Sequence, residues 1–397
     1  MQTHATQQAV GSYKFSGTLK AVLGLFALVG VATFLGALKV APQRAWPIFL
    51  VNFFFFMALS LSGAFFTALQ HITNAYWSVT VRRVSEAITA YLPVAAVLAV
   101  VLFLGRHNLY EWTHHDVVAK DALLTAKAGY LSEKFFAIRL IVIFSLWIGL
   151  SFLMRRNSLA QDSNGDHKYT LSNIKLACVF IPLFGISFTA MSFDLLMSLE
   201  PHWFSTIFGV YCFAGLFYSG LSLLAVLVMY GRNSGAFTEK QITPNHTHDI
   251  GKLMFGFTVF WAYIMFSQLM LIWYANLPEE ISYYIRRFHG AWWPYAIALF
   301  VAHFIIPFFF LLPREAKRCQ KFLPKMAMFM LVAQWMDVYF MVQPVFFAEG
   351  PVFGWVEAGI SLGFLGVFGI TIARFLERVP ALPVRDPRLE QCLAHNQ

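Results

Sequence analysis

Residues 192–211, SFDLLMSLEPHWFSTIFGVY, join two long apolar stretches and contain three ionisable side chains within nine positions. The flanking stretches cover about 176–198 and 204–230. Each is long enough to cross a bilayer, for which a helix needs roughly 20 mostly apolar residues. Asp194, Glu200 and His202 are therefore predicted to lie at a membrane surface, with Asp194 one to two turns inside it.

Stretches of this kind occur ten times in the chain. Of its 397 residues 58% are hydrophobic and 12% are charged, whereas soluble domains carry about 25% charged residues. The stretches are continuously apolar and do not alternate, which excludes a β-barrel. We predict an all-α polytopic membrane protein with about ten transmembrane helices, at 19–38, 46–70, 87–105, 135–154, 176–198, 204–230, 250–274, 291–313, 323–345 and 355–376.

Lys and Arg are distributed unevenly between the two sides of this arrangement. With ten helices both termini lie on one side, and 20 of the 29 Lys and Arg residues fall there. The positive-inside rule places that side in the cytoplasm. The net charge of +9 then fits a surface facing anionic lipid, and no nucleic-acid partner is expected. The N-terminus lacks the pattern of a signal peptide, so the first helix is expected to be retained.

Matching motifs indicate a four-helix unit used twice. The fifth predicted helix ends MSFDLLMSLEPHW and the ninth ends QWMDVYFMVQPVF, and both have an aspartate seven residues before a proline. We predict parallel repeats flanked by helices 1 and 10. The segments are 1–45 (cytoplasmic N-terminus and helix 1), 46–200 (first bundle), 201–346 (second bundle), 347–378 (helix 10) and 379–397 (an extended, mobile cytoplasmic tail). The polar stretch 155–173 is predicted to be a flexible loop.

Ionisable side chains inside a bilayer are costly and mark candidate functional sites. Asp337 is the deepest acid, Asp194 lies near the outer surface, and Glu86 and Asp249 lie near the inner surface. A carboxyl group in apolar surroundings favours its neutral form and can exchange protons. These four acids outline a candidate proton path, and the other candidates on it are His71, Tyr263 and Gln268.

Structural roles explain the same residues. Asp194 and Asp337 would then bond neighbouring helices near their prolines, while Glu86 and Asp249 would be acids at helix N-termini, where the dipole favours them. His303, in the middle of the eighth helix, fits a hydrogen-bonded core histidine. A b-type haem needs two deep, facing histidines, so we predict no haem. The four cysteines show no metal-ligand or disulfide spacing.

Aromatic side chains gather at the predicted outer edge. They fit the interfacial belt of membrane proteins, or the wall of a flat cleft that receives a quinone ring. The candidate residues for this outer rim are Glu200, His202, Trp203 and His107.

Four segments carry a resemblance to a known family. They are AYLPVAAVLAVVLFLGRHNLYEWTH (90–114), FDLLMSLEPHWFSTIFGVYCFAGLFYSG (193–220), THDIGKLMFGFTVFWAYIMFSQLMLIWYANLPEE (247–280) and YYIRRFHGAWWP (283–294). The chain resembles, from about 46 to 345, the ActF-type (quinone-binding subunit 2) NrfD-like membrane subunit of bacterial alternative complex III. The wider NrfD/polysulfide-reductase membrane anchors form its superfamily.

The resemblance implies an accessory subunit of a respiratory quinol:cytochrome c (or oxidase) electron-transfer complex in a bacterial inner membrane. Such a subunit supports quinol oxidation and proton conduction without a redox cofactor of its own, and its small-molecule ligand would be quinone or menaquinone. Haem c and iron–sulfur clusters would belong to its partners: an NrfD-like paralogue, a periplasmic iron–sulfur subunit, c-type cytochromes and a terminal oxidase. The residues that carry over are Asp194, Glu200, Pro201, His202, Trp203, His248, Asp249 and Lys252.

A secondary transporter or proton-coupled channel is the alternative, since parallel repeats and buried acids also suit one. Transporters usually contain helices broken near the midplane. The intrahelical prolines Pro93, Pro182 and Pro307 instead lie singly or near helix ends. The polar residues also cluster at the outer edge, which fits a peripheral quinol site better than a central substrate site.

Overall fold

A computed structural model describes residues 11–395, and in this range it contains helices and no strand. Ten of the helices are long and apolar enough to cross a membrane. They are α1 (Gly17–Val40), α2 (Pro42–Ile72), α3 (Val79–Leu104), α4 (Glu133–Asn164), α5 (Lys168–Leu199), α6 (Phe208–Asn233), α7 (Pro244–Ala275), α8 (Trp292–Leu311), α9 (Leu323–Phe346) and α10 (Trp355–Arg378). The predicted all-α polytopic fold is confirmed.

Short helices occupy the connections. The α-helical ones are His115–Val118, Ala122–Lys127, Pro278–Arg287, Arg314–Arg318 and Leu389–Leu393, and the 3-10 turns in the α3–α4 connection are Arg106–Asn108 and Glu111–Thr113. Within the long helices, α3 contains a 3-10 turn at Thr89–Tyr91, α5 ends in one at Met197–Leu199, and α8 contains a π-helical turn at Val301–Ile305.

The membrane helices pack as two rings of four. Helices α2, α3, α4 and α5 contact one another in a closed circuit, and α6, α7, α8 and α9 form a second circuit. Helix α2 lies where the rings meet, against α5, α6 and α9, and is buried on almost all sides. The circuits group the same helices as the two predicted units. Their origin as repeats stays a prediction.

Helices α1 and α10 pair with each other beside the rings. A Cβ atom on Gly30 would lie 2.1 Å from the Cα of Gly363, so the two backbones touch where these glycines cross. Small residues allow this close approach between membrane helices. Both described ends of the chain lie on one face, where the Ala381 amide donates to the Gly11 carbonyl. We name it the terminal face and the other the opposite face.

The glycine crossing gives a stability prediction. We expect Gly30→Leu to destabilise the protein by about 1–3 kcal/mol, because the side chain must force α1 away from α10. Gly24→Leu is the matched control on the same helix, since nothing lies within 4 Å of a Cβ there. Thermal unfolding in detergent measures both. Equal melting temperatures for the two variants would contradict this packing.

The flexible loop predicted at 155–173 is wrong, because α4 continues to Asn164 and α5 begins at Lys168. Amide side chains join the two helices beyond their apolar parts: Gln161 donates to Thr170 (2.8 Å) and Asn157 donates to Asn173 (2.9 Å). The polar composition of these residues predicts a loop, but in the structure they form the ends of two paired helices. Helix α3 likewise begins at Val79, before the predicted start at 87, through a charged and buried first turn.

The extended, mobile tail is also wrong for the part that the structure describes. Residues 379–395, here named the C-terminal strap, lie against the terminal face. Ala381 and Leu382 are buried, and Leu389–Leu393 is helical. Asp386 forms a buried ion pair with Arg82 on α3 (2.6 Å). The prolines predict an extended tail, but the residues between them pack against the terminal face. Residues 1–10 and 396–397 lie outside the described chain.

Asp386 makes the seating of the strap sensitive to acid. Burial pushes its pKa up, but the charges of Arg82 and Arg388 and the Arg388 amide prevail and hold the pKa below its ordinary value. His71 and Asp162 are the other titratable groups that act on this site. A depressed folded-state pKa gives stability that is full above the unfolded-state value and is lost as the pH falls through the folded-state value.

We therefore expect the strap to stay seated between neutral pH and about pH 4 and to loosen below it. Hydrogen exchange of the Leu389–Leu393 amides, referenced to an unstructured peptide of the same sequence, measures this. In Asp386→Asn the acid-dependent loss of protection should disappear. A protection factor that falls equally with acid in both proteins would assign the effect to another group.

Candidate functional site

The second ring encloses a polar centre. Asp337 on α9 is fully buried. It accepts hydrogen bonds from the Tyr211 hydroxyl on α6, from Trp261 Nε1 on α7 (3.2 Å) and from Gln334 Nε2 on α9 (3.3 Å). All three donors are neutral. We name these four residues, together with His303 on α8, the Asp337 centre, to which every helix of the ring contributes.

Asp337 differs from the other buried acids in its partners. Each of the others has a basic group within 4 Å, whereas no ion pair joins Asp337 to any residue in the range 11–395. The pairs are Asp194–Arg139, Glu86–Arg83, Asp249–Lys252, Glu357–Arg44 and Asp386–Arg82. A buried carboxylate without a counter-charge is costly, so its neutral, protonated form is favoured. Asp337 has only neutral partners, and it is therefore the buried acid best placed to exchange a proton.

His303 lies in the π-helical turn of α8 for a reason visible in the sequence. Pro307, four residues later, has no N–H to donate to the His303 carbonyl. The hydroxyl of Tyr218 on α6 donates to that carbonyl instead (3.2 Å). Turns of this kind interrupt α-helices frequently at functional sites. The widened turn carries His303 into the ring, where it is fully buried.

One amide links His303 to Asp337. Gln334 donates from Nε2 to Asp337, so its Oε1 faces His303 Nε2 at 2.8 Å, and His303 is assigned the tautomer that donates from Nε2. The imidazole stacks between Trp261 and Tyr218, with ring centroids 3.7 and 4.0 Å away. His303 Nδ1 is buried and has no partner among the described residues. A buried acceptor of this kind is a place for an internal water.

Gly215 on α6 leaves the space that Gln334 occupies. A Cβ atom there would lie 2.5 Å from Gln334 Nε2. Any other residue at this position would displace the amide that joins Asp337 to His303. The close approach of α6 and α9 is therefore part of how the chain builds the centre.

Two of the predicted outer-rim residues lie at the opposite-face end of this ring. Glu200 pairs with the buried Arg287 (2.8 Å), which also donates to the Met341 carbonyl one turn beyond Asp337 on α9 (2.7 Å). The Arg287 guanidinium lies over the Tyr283 ring, 3.5 Å from its centroid. The Trp203 ring stacks on the Tyr283 ring, with centroids 4.1 Å apart. Glu200 and Trp203 are thus joined to the second ring.

The other two outer-rim candidates lie in the α3–α4 connection and its surroundings. His202 bonds Asp121 (2.6 Å), and His107 bonds Thr113 (3.0 Å) and approaches Glu133 (3.5 Å). Both histidines are about half exposed. They do not reach Glu200 or Trp203 through any hydrogen bond, so the four rim candidates do not form one cluster.

An apolar cavity of about 380 Å³ opens beside Trp203. Its wall contains the ring of Tyr130 and the amine of Lys127, which donates to the Pro201 carbonyl (2.6 Å). Burial lowers the pKa of Lys127. The tight Trp203–Tyr283 stack leaves no gap for a flat ring between those two side chains.

Asp194 belongs to the first ring and is not bonded to the Asp337 centre. It accepts two hydrogen bonds from Arg139 on α4 (2.6 and 3.1 Å), and both side chains are buried. The Arg139 guanidinium lies over the Tyr130 ring (4.0 Å). This arrangement is a closed ion pair between α4 and α5, which matches the structural interpretation of Asp194.

The acids predicted near the inner surface lie at the terminal face. Glu86 pairs with Arg83 (2.9 Å), and Asp249 pairs with Lys252 (2.7 Å) and with His395 of the strap (2.7 Å). His71 is buried, and neither of its ring nitrogens has a partner in the described chain. These residues lie under the strap and form no bonded chain to Asp337.

The two remaining candidates for the proton path, Gln268 and Tyr263, lie on different sides of α7. Gln268 on α7 is buried in the second ring, and its Oε1 lacks a partner among residues 11–395. Tyr263 on the same helix is 62% exposed on the outer surface of the ring. It faces away from the interior of the ring and lies apart from the Asp337 centre, and its place on the path stays a prediction. Helical periodicity puts positions 261, 264 and 268 inside and position 263 outside.

Sequence reasoning missed most partners of Asp337 and both arginines that neutralise acids near the opposite face. Tyr211 and Trp261 resemble the many aromatic residues of an apolar helix. Arg139 did carry a signal, because it lies inside a predicted span where a charge is costly. Pro307 was a second signal, because a proline four residues after His303 marks an interruption of the helix at that histidine.

The described residues contain no group of three or more His, Cys, Asp or Glu side chains placed to hold a metal ion. No family model and no curated protein matches the chain. The family resemblance and the cofactor content stay predictions.

Proposed function

We propose that this chain is an integral membrane subunit of a respiratory quinol-oxidising complex, and that its Asp337 centre takes up and releases a proton during turnover. The observation that carries the proposal is the combination of full burial with neutral partners at Asp337. An acid in an ion pair cannot take a proton without leaving a buried cation behind. Asp337 can, because its partners carry no charge.

Polar side chains support proton access from the opposite face. Tyr211 bonds Asp337, and Arg287, which bonds Glu200, donates to the Met341 carbonyl one turn beyond Asp337 on α9. Internal water between these groups would complete the route. The charge pattern of the sequence places this face outside the cytoplasm. Compared with the path outlined from the sequence, this one keeps Asp337 and adds Glu200, while Asp194 and Tyr263 drop out.

Toward the terminal face the hydroxyl groups of the second ring are used locally. Thr258 donates to the Met254 carbonyl (2.9 Å) and Ser222 donates to the Tyr218 carbonyl (2.8 Å), each within its own helix. They offer no continuous chain from Asp337 to Asp249. Proton exchange on that side would need internal water.

The quinone part of the proposal rests on the cavity beside Trp203. It lies between the Asp194–Arg139 pair and the Glu200–Arg287 pair, at the depth where the ends of the spans meet the membrane surface. An apolar wall with one amine and one tyrosine ring suits a quinone ring. The iron–sulfur clusters and haem c that accept its electrons would lie on partner subunits.

Purification from native membranes tests this function. The respiratory proposal predicts that an affinity-tagged chain brings down partners with haem c and iron–sulfur absorbance, and that the assembly oxidises quinol. A colourless chain that purifies alone and moves a solute across vesicles would support the transporter or proton-coupled channel instead.

A further inference from the structure

The C-terminal strap crosses the terminal face from the first ring to the second. Its Val384 amide donates to Asp162 at the end of α4 (3.0 Å). Asp386 then pairs with Arg82 on α3 (2.6 Å), and His395 bonds Asp249 on α7 (2.7 Å). One short segment thus holds both rings at the same face.

The strap covers the polar residues at the terminal-face end of both rings. Glu86 pairs with Arg83, whose guanidinium also bonds Asp162 (2.5 Å), the residue that receives the Val384 amide. Asp249 is held by His395. All of these side chains except Asp162 are buried. With the strap seated, Glu86 is 2% and Asp249 is 6% exposed.

The contacts that seat the strap are poorly satisfied. Arg82 Nε and Nη2, Arg388 Nη2 and His395 Nδ1 are buried without a partner among the described residues. Leaving such donors dry costs much of what the ion pair contributes. The buried apolar residues of the strap are Val379, Ala381, Leu382, Pro383 and Cys392. Water would satisfy the arginine and histidine nitrogens once the strap lifts, which lowers the free energy of the lifted state.

We propose that the strap is a releasable closure of the terminal face. Seated, it keeps water from His71, Glu86 and Asp249. Lifted, it opens the terminal-face ends of both rings to the aqueous phase, which is the cytoplasm if the charge pattern is followed. The closure does not depend on Asp337 carrying protons, and its test uses no turnover.

The strap carries its own reporter. Cys392 is buried, and its thiol donates to the Trp77 carbonyl (3.0 Å). Burial raises the pKa of this thiol, which lowers the thiolate fraction that reacts with a maleimide. Cys319, between α8 and α9, is exposed. Cys212 is buried within α6 and reports on unfolding.

The experiment measures maleimide labelling of each cysteine in the purified full chain by mass spectrometry. In the native protein Cys392 should react more slowly than Cys319. Asp386→Asn should speed Cys392 by about tenfold, the factor that corresponds to a loss of about 1.4 kcal/mol. Cys319 should be unchanged and Cys212 should stay protected. Glu390→Gln is the matched control, because Glu390 is an exposed acid on the same strap and its loss should have no effect.

A second thiol tests whether the strap is the closure. His71→Cys, combined with Cys392→Ser, should give a thiol that is protected with the native strap and becomes reactive with Asp386→Asn. Three results overturn the proposal: native Cys392 reacting as fast as Cys319, Asp386→Asn leaving Cys392 slow, or the thiol from His71→Cys staying protected when Asp386→Asn is added. If Asp386→Asn exposes Cys212, the variant has unfolded, and His395→Asn replaces it in the same comparisons.

Discussion

Asp337→Asn is expected to lower the rate of proton release on the order of 100-fold, the scale on which a positioned proton-transfer group contributes to a rate. Asparagine keeps the size of the side chain. With its carbonyl oxygen at the Oδ2 position it still accepts from Trp261 and Gln334, and its Nδ2 at the Oδ1 position donates to the Tyr211 oxygen. The centre therefore stays folded, but it has no group that gains and loses a proton. Proton release from vesicles that contain the assembled complex, after a pulse of quinol, measures the effect.

Two tyrosines provide a matched control for this prediction. Tyr211→Phe removes a donor to Asp337 and should slow proton release. Tyr263→Phe removes the same hydroxyl from the outer surface of the ring, where the side chain is exposed, and should change nothing. Unchanged proton release in Asp337→Asn, in a complex that assembles and turns over, would remove the Asp337 centre from the mechanism.

Asp194→Leu is expected to destabilise the protein by about 3–5 kcal/mol, because it leaves the buried Arg139 guanidinium without its counter-charge. The two hydrogen bonds of this pair (2.6 and 3.1 Å) link α4 to α5. The double variant Arg139→Met/Asp194→Leu removes both charges together and should recover most of the lost stability. Thermal unfolding of Asp194→Leu, Arg139→Met and the double variant, beside the native protein in one detergent, gives the coupling between the two sites.

The same variants decide between the two interpretations of Asp194. If the ion pair is structural, the double variant should keep proton release at the native level. A stable double variant that no longer releases protons would place a proton path in the first ring. Equal melting temperatures for Asp194→Leu and the native protein would show instead that Arg139 finds another partner or water.

The sequence was sufficient to predict the ten spans, because bilayer thickness sets the length of an apolar helix. It also predicted from helical rise that Asp337 is the deepest acid in the membrane, and in the structure this side chain is fully buried within the second ring. Which acids are neutralised could not be predicted in the same way. Arg139 is 55 residues from Asp194, and Arg287 is 87 residues from Glu200. Such pairs depend on how the helices pack.

At the terminal face, polar composition led to two wrong predictions, a loop at 155–173 and an extended tail. The residues at 155–173 and in the strap have the composition of loops, and no periodic pattern marks their partners. In the structure Gln161 and Asn157 bond across two helices, and Asp386 reaches Arg82 more than 300 positions away in the chain. Composition shows that a segment is polar, whereas only packing shows whether water or protein satisfies it.

The central claim is that Asp337 changes its protonation during quinol oxidation. Infrared difference spectra between the oxidised and reduced complex test it most directly, because the carbonyl stretch of a protonated carboxyl group is resolved from the rest of the protein. If Asp337 changes its protonation, the native complex should show a carboxyl band. This band should be absent in Asp337→Asn and present in the stable Arg139→Met/Asp194→Leu variant. A native spectrum without such a band, or one that Asp337→Asn leaves unchanged, would contradict it.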